Sequence, residues 1–189
     1  PSIGDITSFE IHQDTWGMGL TVTYDGFAFV SDLPEDLAEG TAGLWGTFAS
    51  DNAAVSVVDD ATSLRSGAAA LRFDTASGFD TGLVYPKAGA PHWNLSDVRT
   101  LMLWIRAENA NPFQGNQPVF VLRSPSGSIR LEPGDTLVNT PGWRYYEVPL
   151  DGAYPWTRTQ TGTPSLEDVN AIEIHDDTWG YGFRLYVDG

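Results

Sequence analysis

An all-β chain folded as an antiparallel β-sandwich of jelly-roll type is what this sequence predicts, on three observations. Apolar and polar residues alternate with period two along most of its length, turn signals recur between the alternating runs, and helical periodicity is almost absent. The runs fall at residues 44–48, 55–58, 68–74, 81–85, 100–107, 118–123, 128–132, 143–150, 171–175 and 183–187. Turn strings such as PSG, PGD, TPG and DGA separate many of them. About ten short strands between residues 43 and 189 are the complement of two packed antiparallel sheets.

Taken in order, the first alternation lies at 7–12, where Phe9 and Ile11 share one face and Glu10 and His12 the other; 20–24 resumes it after a glycine turn. The acidic stretch 32–40, DLPEDLAEG, is the one credible helical turn or linker. In the strand at 100–107, parity sends Leu101, Leu103 and Ile105 inward and Met102, Trp104 and Arg106 outward. The same parity places Phe120 and Leu122 inside with Arg123 outside, and Val148 and Leu150 inside with Tyr145 and Glu147 outside. At 171–175, Ile172 and Ile174 face in, and Glu173 and His175 face out.

The two ends of the chain are one piece of sequence written twice. Residues 1–26 and 164–189 align without a gap at an offset of 163, with 13 of 26 positions identical, including the DTWG turn. Such internal repetition marks a tandem array. The expected organisation is a β-hairpin at 1–30 that copies the C-terminal hairpin, an acidic linker at 31–42 and a jelly-roll domain at 43–189. The last strand is expected to stop short, with its continuation present in the first copy as FAFV, residues 27–30. The first residue is Pro, as expected of a piece of a longer protein.

The chain has 25 acidic and 10 basic residues, a net charge of −15, and Lys87 is its only lysine. Nucleic acid and anionic membrane are poor partners for that balance, because phosphate binding relies on Lys and Arg. The chain has neither an 18-residue apolar run nor a basic-then-apolar start, so no membrane insertion is expected. It has no cysteine, which excludes disulfides and thiolate chemistry and suits a secreted or cell-surface protein. Enzymatic readings have little to draw on: His12, His92 and His175 are the only histidines, and no feature selects a pair such as Glu147 and Glu173 from the 25 acids.

The strings WNLSDVRTLMLWIRAEN, NPFQGNQPVFVLRS, PGWRYYEVPL and IEIHDDTWGYGFRLYVDG, in that order and spacing, resemble the galactose-binding-domain-like, β-jelly-roll carbohydrate-binding modules of extracellular polysaccharide-degrading enzymes. The resemblance covers about residues 43–189. It implies a non-catalytic module, a glycan site on the concave sheet or in loops at one edge, and a structural Ca²⁺ near the chain ends. The metal candidates are Asp188, at the end of the last strand, and Asp59 or Asp60 in the VVDDATSLRSG loop; Asp25 is the first copy's equivalent of Asp188.

From the residues, the expected ligand-binding set is the outward one: Trp104, Arg106, Arg123, Tyr145, Glu147, Glu173 and His175, on four strands presenting one face. Sugars offer apolar C–H faces and a fringe of hydroxyls, so aromatic platforms beside planar polar groups suit them. The alternative is a solvated polar face whose Arg and Glu residues neutralise one another. Trp156, between Tyr154 and Arg158 in a long Pro- and Thr-rich loop, is a candidate edge-site platform, whereas Trp93 and Trp143 read as core residues. A polysaccharide is thus the expected partner. The rival reading is a structural repeat of an extracellular filament, joined to neighbouring repeats by strand addition.

Overall fold

In the computed structural model the described residues are 37–88, 92–109, 118–134, 142–177 and 180–189. The chain divides into two compact units, residues 1–34 and 35–189. The first lies outside the described residues, and with it the 1–30 segment, His12 and Asp25.

The second unit is built from eleven described strands: β1 (Gly46–Ala49), β2 (Val55–Asp60), β3 (Ala70–Thr75), β4 (Asp80–Tyr85), β5 (Thr100–Asn109), β6 (Val119–Ser124), β7 (Gly127–Glu132), β8 (Arg144–Pro149), β9 (Thr157–Gly162), β10 (Ala171–Asp177) and β11 (Phe183–Asp188). They form a six-stranded sheet in the order β1-β4-β10-β6-β7-β9 and a five-stranded sheet in the order β2-β3-β11-β5-β8. Every pairing is antiparallel. Among the described residues no helix is long and apolar enough to cross a membrane.

The period-two pattern explains the core. Leu83, Phe120, Leu122, Ile129 and Leu131 from the six-stranded sheet meet Leu71, Phe73, Ile105, Val148 and Leu185 from the five-stranded one, all fully buried. At roughly 1.5–3 kcal/mol for each buried apolar side chain, this interior is the main source of stability. One end is sealed by rings: Trp45 and Tyr85 lie 5.2 Å apart, and Tyr85 stacks on Trp93 at 5.8 Å.

Three expectations need correction. Residues 37–42 are part of the sandwich rather than linker: Ala38 and Ala42 are buried, and the indole of Trp45 donates to the Leu37 carbonyl at 2.8 Å. The repeated C-terminal segment is no hairpin, because β10 pairs β4 and β6 in one sheet while β11 pairs β3 and β5 in the other. It is an arch that supplies an interior strand to each sheet, so β11 offers no unfilled edge. Among the described strands the sheet edges are β1, β9, β2 and β8. Finally, the Thr-rich stretch read as loop contains β9, an edge strand.

Candidate functional site

The sheet assignment divides the expected ligand-binding set. Parity is right for β5, β6, β8 and β10, but Arg123, Glu173 and His175 lie on β6 and β10 of the six-stranded sheet, whereas Trp104, Arg106, Tyr145 and Glu147 lie on β5 and β8 of the five-stranded one. These are the two opposite outer faces, with the core between them. Alternation tells in from out; it does not tell which sheet a strand joins. Glu147 and Glu173 therefore cannot flank one glycosidic bond.

The outer face of the six-stranded sheet carries a continuous polar line. Arg123 donates through Nε and Nη2 to the two oxygens of Glu173 at 2.8 and 2.9 Å. The second oxygen of Glu173 also meets His175 Nε2 at 2.7 Å, and His175 Nδ1 meets Asp80 at 2.9 Å. With a carboxylate at each ring nitrogen, both hydrogen bonds form only when the imidazole is protonated on both. Burial works to lower the His175 pKa, but the bonds to Asp80 and Glu173 outweigh it and the pKa is raised. Burial likewise works to raise that of Glu173, and is overcome by His175 and Arg123. Sequence reasoning found three of these groups; Asp80, at the start of β4, was missed.

Phe48 was missed too. On β1 it pairs with Gly82 of β4, which pairs in turn with His175 of β10. The Phe48 ring centroid lies 4.4 Å from that of His175, over the space a side chain at residue 82 would fill. Gly82 is thus what lets an aromatic ring lie across the sheet. The signal in the sequence was the glycine inside a strand pattern, which marks a close approach. In the other direction the face continues through Val121, buried at register with Glu173 and Arg130, to exposed Thr157, Thr159 and Thr161 of β9.

On the five-stranded sheet, Trp104 is half-buried. Arg65 stacks 4.3 Å from its ring and Tyr145 lies 5.1 Å away, tilted. Arg106 stacks 4.2 Å from the Tyr186 ring and pairs with Glu108 at 3.0 Å. Trp143 joins this outer face against Tyr186, at 6.3 Å, instead of entering the core. Trp156 does the reverse: it packs inward against Phe120 at 5.8 Å and Tyr146 at 6.2 Å, so it is no edge-site platform. The exposed ring of that loop is Tyr154.

The calcium candidates hold backbone. Asp59 accepts from the Ala42 amide at 2.9 Å. Asp60 accepts from the Thr62 hydroxyl and amide, the Ser63 amide and Arg72. The Thr62 hydroxyl leads these bonds in lowering its pKa to about 2. Asp188, fully buried, accepts from the amides of Arg65 and Ser66 and from the Ser66 hydroxyl. Calcium needs converging oxygens, whereas these carboxylates meet N–H and O–H donors at separate places. Among the described residues no three His, Cys, Asp or Glu are grouped to hold a metal.

No protein-family profile matches the sequence, and neither does any curated protein sequence. Solved structures do resemble it. A family 11 carbohydrate-binding module from Clostridium thermocellum, in complex with a β-1,3-1,4-mixed-linked tetrasaccharide, is 16% identical over 77% of this chain and 86% of its own, with a TM-score of 0.51. The family 11 module of a cellulosomal cellulase from the same organism is 14% identical over 83% of this chain and 95% of its own, with a TM-score of 0.54. At such identities the likeness is one of fold: the body of this chain is a β-sandwich like that of these two modules.

Proposed function

We propose that the protein is a non-catalytic module that binds a polysaccharide on the outer face of its six-stranded sheet. The observation that carries this reading is the Phe48 ring, laid across Gly82 beside the Arg123–Glu173–His175–Asp80 line. The ring offers a C–H stacking surface, and the line offers fixed donors and acceptors beside it. Arg123 spends two of its five N–H groups on Glu173, and its side chain is 47% exposed, which leaves donors for sugar hydroxyls. Mutual pairing is what preorganises these groups, so binding costs little ordering. Because each cation is matched by a carboxylate, the ligand that suits this face is a neutral glycan. The family 11 neighbour in complex with a β-1,3-1,4-mixed-linked tetrasaccharide supports the same class.

Isothermal titration against neutral β-glucans, starting with a β-1,3-1,4-mixed-linked one, tests the reading. Binding should fall at least tenfold in both Phe48→Ala and Arg123→Ala. Absence of binding to every neutral glycan, or binding undiminished in both variants, would overturn it.

The repeated 26-residue segment supports a second, compatible reading: one unit of a tandem array acting outside the cell, where neighbouring units meet by strand addition. The observation that favours it is that the second copy forms two interior strands, so the first copy has the makings of another sandwich's arch. Light scattering of the full chain tests it; ordered oligomers support association, and a monomer at every concentration opposes it.

A further inference from the structure

The outer face of the five-stranded sheet carries an arrangement that the six-stranded face does not explain. Its guanidinium groups are mostly spent. Arg72 lies 2.9 Å from both Asp60 and Asp74, Arg184 pairs with Asp74 and Glu108, and Arg106 pairs with Glu108. Arg65 differs from these three: among the described residues no carboxylate pairs with its side chain, which is exposed and rests on Trp104.

Arg65 is also held in place from behind. Its own amide and that of Ser66 donate to Asp188, the Thr62 and Ser63 amides donate to Asp60, and the Ala68 and Ala69 amides donate to Glu39. Three carboxylates thus pin the loop that presents this guanidinium. Trp104 holds it from below, because a cation over an indole face is attracted by the ring quadrupole. Beside the pair stand two exposed apolar groups of the same face, Tyr145 at 40% and Met102 at 53% exposure. Arg65 lies over Trp104 and is exposed, so its N–H groups are open to a ligand, and a planar guanidinium matches a carboxylate in a bidentate pair.

We infer that Arg65, Trp104 and Tyr145 form a second glycan subsite, one that takes a carboxylate-bearing sugar residue, a hexuronate. The carboxylate pairs with Arg65 while the sugar ring lies on Tyr145 and Met102; Trp104 is a positioning residue for Arg65 rather than the stacking platform. Long-range attraction cannot mimic this preference, since a chain of net charge −15 repels polyanions.

The test is titration of the full chain with an oligogalacturonate and with its carboxyl-reduced counterpart, which has the same rings without the charge. The uronate should bind about tenfold tighter. Arg65→Gln should abolish the difference, whereas Tyr145→Ala should weaken both. Arg65 is exposed, so its replacement leaves the core intact. Equal affinity for the two oligosaccharides, a preference that survives Arg65→Gln, or no binding of the uronate would each overturn the assignment. Phe48→Ala separates the two sites: it should leave uronate binding untouched, so that failure at one face is not mistaken for failure at the other.

Discussion

Phe48 covers Gly82 so closely that a Cβ on residue 82 would stand 2.7 Å from the ring Cζ and 2.3 Å from the Ile174 carbonyl oxygen. Backbone on one side cannot yield, and the ring on the other is the proposed sugar platform. Gly82→Ala should therefore destabilise the fold by roughly 1–3 kcal/mol, the usual cost of overpacking, and displace Phe48. Chemical denaturation and glycan titration of the same variant check both effects. Stability and affinity equal to wild type would mean that the contact is looser than the geometry states.

His175 makes the fold sensitive to alkali. Its pKa is raised from 6.5, so the stability it contributes is complete below about pH 6.5 and is lost as pH rises through the raised value. The groups that face it are Asp80 from β4 and Glu173 from β10, with Arg123 of β6 behind Glu173; Phe48 of β1 does not titrate. Once the imidazole is neutral, one nitrogen lone pair must face a carboxylate. The melting temperature should fall on the alkaline side of pH 6.5, and His175→Gln should flatten that limb. A wild-type profile level from pH 6 to 9 would count against the doubly bonded imidazolium.

Much of this was legible from alternation alone. Leu101, Leu103, Ile105, Phe120, Leu122, Val148, Ile172 and Ile174 all face inward as period two requires, because one buried face is enough to fix parity. What alternation cannot carry is pairing. Arg123 and Trp104 look equivalent in sequence, yet the first joins the sheet of β10 and the second that of β11. The strand β9 escaped notice because TRTQTG has no apolar side chain to alternate, and an edge strand with Thr on its outer face needs no apolar partner there. Asp60 and Asp188 read as metal ligands because a carboxylate suits a cation and a row of backbone amides equally well.

Asp188 should behave as a structural anchor independent of calcium. Asp188→Ala removes the acceptor for two amides and a hydroxyl in a buried setting, where each orphaned donor costs about 1–3 kcal/mol. The variant should lose several degrees in melting temperature and, through the Arg65 loop, its preference for a uronate. Thermal unfolding of the wild type should be the same in excess EDTA and in millimolar Ca²⁺. A calcium-dependent rise in melting temperature would show that these carboxylates leave their amides to bind the ion.

Trp156 and Tyr154 divide the work of one loop. The indole of Trp156 fills space between Phe120 and Tyr146, whereas Tyr154 is 96% exposed. Between them, Trp156 donates its amide to the Ala153 carbonyl at 3.0 Å and Asp151 accepts from the Ala153 amide at 2.9 Å, so the loop closes on itself just behind Tyr154. Trp156→Ala should therefore cost about 3 kcal/mol or more, as expected when a large packed ring is removed. Tyr154→Ala should stay within about 0.5 kcal/mol of wild type, as surface changes do. Urea unfolding of the two variants checks the pair, and the contrast matters more than either value. If Trp156→Ala were as stable as wild type but lost glycan binding, the indole would be a platform after all; if only stability falls, the ring belongs to the interior and sugar contact at this edge falls to Tyr154.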